Sequence, residues 1–287
     1  MRVISLGWGV QSFTLAAMSA LGILPPVDAA VHADTGHERR ETYEFAERWT
    51  PWLEERGVRV VTVSDPIIPY VFNAKGVFIP ALTARDRDVW VEGGEWDEQS
   101  GDEVWIPDGS RILAHRKGDP SGMLRRSCTH RWKIAPIRRW LQSERDKQPV
   151  EQWLGITLDE IERMRADSGV KYITNAYPFI ESLDRPWTRG MVLRWLKEND
   201  IEIPVKSSCI FCPYHDRATW REIKLSDNGD WEKALEVDAA IRNNRPGYLC
   251  YLTAQRKPLD ECDFRSQEDH GQLTPWEAEE CSGMCFL

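Results

Sequence analysis

The chain has 287 residues, with 37 Lys and Arg against 46 Asp and Glu, a formal net charge of −9 and seven cysteines. That length buries a substantial core and suits one large domain, alone or with an appendage. No apolar run approaches the ~20 residues of a bilayer span, the early apolar stretch is broken at Gly7-Trp8-Gly9 unlike a signal peptide, and the acidic balance argues against a surface that coats nucleic acid.

Residues 2–5, 27–33 and 58–63 predict strands, separated by helical patterns over 12–21 and 38–56. Strands alternating with helices predict an α/β fold, a parallel twisted sheet with helices on both faces. Ligands of such sheets sit beyond the carboxyl ends of the strands. The opening turn, Ser5 to Ser12, and the segment Ala33-Asp34-Thr35-Gly36-His37-Glu38 fall at such ends and are predicted neighbours. The turn itself has two readings. It is a tight turn using glycine at positive φ and a serine cap, or it is an anion cradle of bare backbone N–H groups at a helix start.

Residues 76–122 are rich in Gly, Asp, Glu and Trp and read as an insertion, a hairpin or a flap over the site. In 124–147 the cations Arg125, Arg126, Arg131, Lys133, Arg138, Arg139, Arg145 and Lys147 outweigh Glu144 and Asp146. Such a run is a solvated basic helix face or a place for an anionic ligand. Residues 151–156 predict a strand, Thr157 and Glu160 a capping box opening a helix to about Ala166, and 188–199 a further helix. Composition shifts after Pro204, which gives domains at 1–205 and 206–287.

A cytosolic location is expected, where an odd number of cysteines suits thiol or metal chemistry rather than a disulfide framework. Ser208-Cys209-Ile210-Phe211-Cys212-Pro213-Tyr214-His215 holds a C-x-x-C, and Cys128 lies 81 residues before Cys209. A C-x-x-C aims two sulfurs at one metal or works as a redox dithiol; the thioredoxin-like case needs the motif early in a βαβ unit, where it is not. Three thiolates suit an iron–sulfur cluster with one iron open. With His215 they would instead complete a Cys3His zinc site, and unrelated buried thiols are the third reading. Cys281 and Cys285 near the end offer a nucleophile and its resolving partner, or further cluster ligands, while Cys250 and Cys262 are expected to pack or to sit on the surface.

These features resemble the phosphoadenylyl-sulfate reductase family of the adenine-nucleotide α-hydrolase, or PP-loop, superfamily, over most of the chain except the insertion. Gly7-Trp8-Gly9-Val10-Gln11-Ser12 stands where ATP-cleaving members carry Ser-Gly-Gly-x-Asp-Ser. Asp34-Thr35-Gly36 followed by Glu41-Thr42-Tyr43 looks like the family's D-T-G and E-T-Y block. Cys128 through Lys133 with Pro136 is similar to the cysteine-to-lysine segment of adenylyl-sulfate reductases, and Glu280-Cys281 to the terminal motif whose thiol attacks sulfur. There are departures: Gln11 replaces an acidic residue, which favours a pre-activated nucleotide over ATP. Thr129 stands where a second cysteine is expected, leaving three protein ligands, as in iron–sulfur tRNA-thiolating relatives.

The resemblance implies an adenylyl nucleotide, adenylyl sulfate (APS), its 3′-phosphorylated form (PAPS) or ATP. It would be bound by Ser5, Gly7, Gly9, Gln11, Ser12, Asp34, Thr35, Gly36, Arg125, Arg126 and Lys133. It implies a 4Fe–4S cluster, with zinc as the alternative, on Cys128, Cys209 and Cys212, and catalysis by Cys285 or Cys281 with Asp34 near the ribose or the reacting centre. The expected reaction is reduction of the sulfonucleotide to sulfite, with electrons from a thiol or small redox-protein donor. Its alternatives are an ATP-dependent iron–sulfur sulfurtransferase thiolating a nucleic acid, and a metal-stapled nucleotide-binding module without turnover. No membrane partner is expected, and a homodimer is left open.

Overall fold

The computed structural model describes residues 1–64, 81–83, 87–92, 111–116, 121–124, 129–165, 167–242 and 249–265. Its first strand, β1 (Arg2–Leu6), is followed by α1 (Val10–Ala20), β2 (Ala29–Asp34), α2 (Arg40–Glu54), β3 (Val60–Ser64), β4 (Ala81–Thr83), β5 (Arg87–Glu92), β6 (Arg111–Arg116) and β7 (Ser121–Leu124). A π-helical segment (Thr129–Ile134) runs into α3 (Ala135–Glu144), then β8 (Val150–Trp153), a 3-10 segment (Leu158–Arg163) and β9 (Ile173–Ala176). The chain continues through α4 (Pro178–Glu181), α5 (Arg189–Glu198), α6 (Arg217–Leu225), α7 (Asp230–Arg242) and β10 (Leu249–Tyr251).

Val3, Ile4 and Leu6 are all buried, as a strand covered on both faces requires. β1 is accordingly the middle of a five-stranded, all-parallel sheet in the order β3-β2-β1-β8-β9. The chain builds outward from β1 to β3, then returns to the other side of β1 for β8 and β9. Strand order therefore reverses between β1 and β8. One face is covered by Phe13, Leu15 and Met18 of α1, Phe45 and Leu53 of α2, and Val192 and Leu196 of α5. On the other, Ile137 and Leu141 of α3 pack on Val31, Ala33, Val150 and Ile173. The α/β reading, with a parallel sheet and helices on both faces, holds.

A third cluster gathers Trp220 and Ile223 of α6, Val237 and Ile241 of α7, and Cys250, Leu252 and Phe264, with Trp132 as its contribution from before residue 205. Within the predicted insertion, β5 and β6 form an antiparallel ladder from Arg87↔Arg116 to Glu92↔Arg111. β7 pairs antiparallel with β4 and parallel with β10. The other residues of 76–122 lie outside those described, except 81–83 and 121–122, which belong to β4 and β7.

One local expectation is corrected. Thr157 makes no capping bond and no α-helix follows it. Glu160 leaves helical dihedrals (φ −123, ψ 24), and the segment stays 3-10. The physical reason is where the carboxylate goes: it pairs with Arg163 at 2.7 Å and accepts from Gln11 at 3.3 Å instead of reaching back to Thr157.

α6 opens on Asp216, whose side chain accepts from the Thr219 amide at 2.6 Å and from Lys206 Nζ at 2.7 Å. Burial pushes this carboxyl up, but Lys206 and Thr219 outweigh it and hold it at about 2. A depressed carboxyl contributes stability above its unfolded pKa, and that contribution is lost as pH falls through the folded value. Asp216→Ala is expected to cost about 1 kcal/mol in urea unfolding at neutral pH. The gap to wild type should close as pH falls from about 4 to about 2.

Candidate functional site

At the carboxyl ends of β1, β2 and β8, where strand order reverses, the molecule holds a cavity of about 400 Å³. Open α/β sheets place ligands at such a switch point. Of the residues singled out in the sequence, Ser5, Gly7, Gly9, Gln11, Ser12 and Lys133 line it. The turn between β1 and α1 is closed from within. Ser12 Oγ accepts from the Gly7 amide at 3.0 Å and donates to the Gly9 carbonyl at 3.4 Å. No side chain caps α1 and its first turn carries no acid. Its first amides thus lack intrahelical acceptors, and its positive dipole end meets the cavity.

The positive φ of this turn belongs to Trp8 (φ 57), not to a glycine, and Gly9 is extended (φ −89, ψ 171). Left-handed backbone is unfavourable for a bulky residue, and it persists here with the indole 2% exposed against Phe13, His32 and Phe45. Gly9 answers a different need, since a Cβ there would stand 3.0 Å from Ser207 Oγ. At Gly155, after β8, a Cβ would meet the Ser12 amide nitrogen at 2.8 Å.

The cavity is strongly cationic. Lys133, Arg138, Arg163, Arg165, Arg189 and Lys206 line it against Glu160 and Asp167. Arg163, Arg165, Arg189 and Lys206 were not legible as site residues, because they come from segments far apart in the chain. The available signals were positional: Arg163 and Arg165 follow the strand at the switch point, and Lys206 with Ser207 precedes the C-x-x-C.

Asp34, Thr35 and Gly36 are close by but do not line this cavity. Asp34 Oδ1 accepts from the Gly36 amide at 2.8 Å and from the Tyr43 hydroxyl at 2.8 Å, with Gly36 at φ 74. The carboxylate borders a second cavity of about 360 Å³ beside α2, lined also by Trp8, His32 and Tyr43. Burial and then Asp34 raise the Tyr43 hydroxyl well above its ordinary range. His32 touches both cavities. Its Nδ1 lies 3.1 Å from the Leu6 carbonyl, so that nitrogen carries the proton, and burial lowers its pKa.

The C-x-x-C loop docks on the same strand end. Cys209 forms an isolated antiparallel bridge with Glu38, Ile210 donates to the His37 carbonyl at 2.8 Å, and Arg39 to the Ser208 carbonyl at 3.3 Å. Cys209 Sγ lies 3.2 Å from Thr35 Oγ1 and 3.7 Å from Glu38 Oε1. The loop closes on itself through Cys212 N–H to the Cys209 carbonyl, 3.0 Å, and His215 N–H to the Cys212 carbonyl, 3.1 Å. His215 Nε2 lies 2.8 Å from the Cys209 carbonyl and therefore carries the proton; burial holds this imidazole down at about 4, so it is neutral near pH 7.

Glu38 joins the loop to the cavity. Its side chain is 1% exposed, and Oε1 lies 3.0 Å from Lys133 Nζ. Burial alone would raise this carboxyl, but Lys133 and then His32 outweigh it and hold the pKa below the ordinary range. Cys250 and Cys262 are buried in the third cluster, as one of the two readings expected, and burial pushes Cys250 up to about 11. Among the described residues no three His, Cys, Asp or Glu side chains gather as a metal site. Cys128, Arg125, Arg126, Cys281 and Cys285 lie outside the described residues.

No model of a known protein family matches the chain. Over 88 residues it is 30% identical to the uncharacterized nin region protein ORF290 of Escherichia phage lambda, a stretch equal to 30% of this chain and 28% of that protein. The chain thus spans less than a third of the length of the relative it matches.

Three variants test this architecture. Gly155→Ala drives a methyl into backbone of α1 that cannot give way, and should cost about 1–3 kcal/mol in urea unfolding. Lys133→Ala leaves the Glu38 carboxylate buried and unpaired, at about 3 kcal/mol. Removing both charges in Glu38→Gln/Lys133→Met should cost less than that single change.

Proposed function

We propose that the chain binds an adenylyl sulfonucleotide in the 400 Å³ cavity and reduces it to sulfite by thiol chemistry supported by a thiolate-held 4Fe–4S cluster. One observation carries this reading. Lys133 lines the cavity, its ammonium pairs with Glu38 at 3.0 Å, and the same carboxylate oxygen lies 3.7 Å from Cys209 Sγ. Anion pocket and thiol loop therefore meet across one side chain. The cationic lining and the uncapped start of α1 suit a phosphate–sulfate group. Gln11, where ATP-cleaving enzymes of the resembled superfamily carry an acid, favours a nucleotide that arrives already activated.

The donor set fits a cluster in one respect: Cys209 and Cys212 share a single closed loop, the arrangement a thiolate-held metal needs. Cys128, Cys209 and Cys212 would hold it, and when bound it supplies iron with one position free for a ligand other than protein thiolate. Zinc on the same thiols is the alternative. His215 as a fourth ligand would have to use Nδ1, because Nε2 is committed to the Cys209 carbonyl.

In this reading the thiolate of Cys285 or Cys281 forms a bond to the sulfate sulfur. The bond from that sulfur to the nucleotide oxygen breaks, and AMP or its 3′-phosphorylated form leaves with the electron pair. A second thiol then attacks the enzyme's own sulfur in the resulting thiosulfonate. A disulfide forms, sulfite departs with the pair, and an external thiol or small redox protein reduces the disulfide. Lys133 and the first-turn amides of α1 hold the anion throughout.

Anaerobically purified protein should be brown, with broad absorbance near ~400 nm, and should release sulfite from adenylyl sulfate or its 3′-phosphorylated form with a thiol donor. Cys209→Ser should remove the iron and most of the sulfite release together. Colourless protein with one zinc per chain overturns the cluster. Release of pyrophosphate or AMP from ATP only with added nucleic acid would establish the sulfurtransferase instead, and no product at all a binding module.

A further inference from the structure

The carboxamide of Gln11 is held at both ends. Its Oε1 accepts from Arg189 Nη1 at 3.1 Å, and its Nε2 donates to Glu160 Oε2 at 3.3 Å. Glu160 is pinned in turn by Arg163 Nη1, 2.7 Å from its other oxygen. All four side chains belong to the cavity lining. The backbones that carry them are fixed as well. Gln11 lies in the first turn of α1, against which Gly155 packs, and Arg189, the first residue of α5, donates its amide to the Asp159 side chain.

Arg189 differs from three other cations of the cavity. Lys133, Lys206 and Arg163 each have a carboxylate within 3.0 Å, at Glu38, Asp216 and Glu160 respectively. Arg189 is paired with no carboxylate among the described residues, and the group that orients it is a neutral amide. Only an amide suits position 11, because it must accept from a guanidinium and donate to a carboxylate at once. A carboxylate there would face Glu160 across about the same distance, and two carboxylates that close share a proton.

We propose that Arg189 is an anion-binding residue of the cavity, taking a phosphate- or sulfate-type group of the ligand from the α5 side, and that Gln11 is the positioning residue that aims it. This rests on the nucleotide reading of the cavity. It gives the amide at position 11 a task of its own. Bridged to Glu160, it leaves the Arg189 guanidinium without a directly paired carboxylate, where an acidic residue would supply one.

The test is calorimetric titration of the full chain with AMP. Gln11→Glu and Arg189→Ala should each weaken binding by about 10–100-fold. Gln11→Glu combined with Glu160→Gln removes the carboxylate pair but keeps an acid on Arg189, and should therefore bind AMP as weakly as Gln11→Glu alone at neutral pH. A merely structural role would not produce the accompanying pH profile. With Gln11→Glu alone, AMP affinity should rise on acidification as the carboxylate pair takes up a proton, in the field of Arg163, Arg189 and Glu162, and the double variant should lack this rise. Wild type that binds AMP while all the variants bind it equally well overturns the Gln11–Arg189 assignment and leaves the nucleotide reading standing. Wild type that binds neither AMP nor adenylyl sulfate overturns the nucleotide reading, and the role of Arg189 with it. Should Gln11→Glu fail to fold, Arg189→Ala at its half-buried helix start decides alone, with unchanged affinity as the refuting result.

Discussion

The site depends on a single buried ion pair, Glu38 with Lys133. A carboxylate at 1% exposure pays a desolvation cost that only a close cation offsets. That requirement makes three stretches of chain converge: the end of β2, the π-helical segment that carries Lys133, and the loop of Cys209, whose sulfur lies beside the same oxygen. π-helical turns recur at functional sites because they re-aim a side chain that a regular helix would point elsewhere. Here the re-aimed side chain reaches the cationic cavity and, through Glu38, the loop of Cys209.

Local charge overrides global charge in this molecule. A chain of net charge −9 concentrates six cations around one cavity that also holds two carboxylates. Fixed positive groups in a concave site focus the field far more than the same groups scattered over a surface. The backbone adds to it without any side chain, since the first turn of α1 has neither cap nor acid to consume its amides. Holding Trp8 in the left-handed region costs about 1–3 kcal/mol. Burying its indole among Phe13, His32 and Phe45 offsets that, so the shape of the turn between β1 and α1 is anchored in the core.

The fold was legible because parallel strands announce themselves as apolar runs separated by helical periods, and residues 2–5, 27–33 and 58–63 each fall within about two residues of β1, β2 and β3. The juxtaposition of the glycine turn with the end of β2 followed from topology alone. What escaped was decided by tertiary partners rather than by spacing. Glu160 has the spacing of a capping box but is drawn to Arg163 and Gln11. Asp34 lies at the predicted strand end, yet Gly36 and Tyr43 turn its carboxylate toward α2. Arg189 lies 178 residues from Gln11, and nothing in its own neighbourhood marks it as belonging to the cavity.

The region after residue 205 has its own apolar cluster, which Trp132 joins, and several of its other contacts with the end of β2 and the start of α2 are polar. Buried Arg39 reaches Glu222 at 3.0 Å, the Arg40 amide donates to Asp230 at 2.9 Å, and Glu38 bridges Cys209. Such contacts demand exact partners, whereas apolar surfaces tolerate substitution if volume is kept. The two portions are therefore constrained to change in step. A replacement of either portion that lost Glu222 or Asp230 would leave buried Arg39 and the Arg40 amide without these partners.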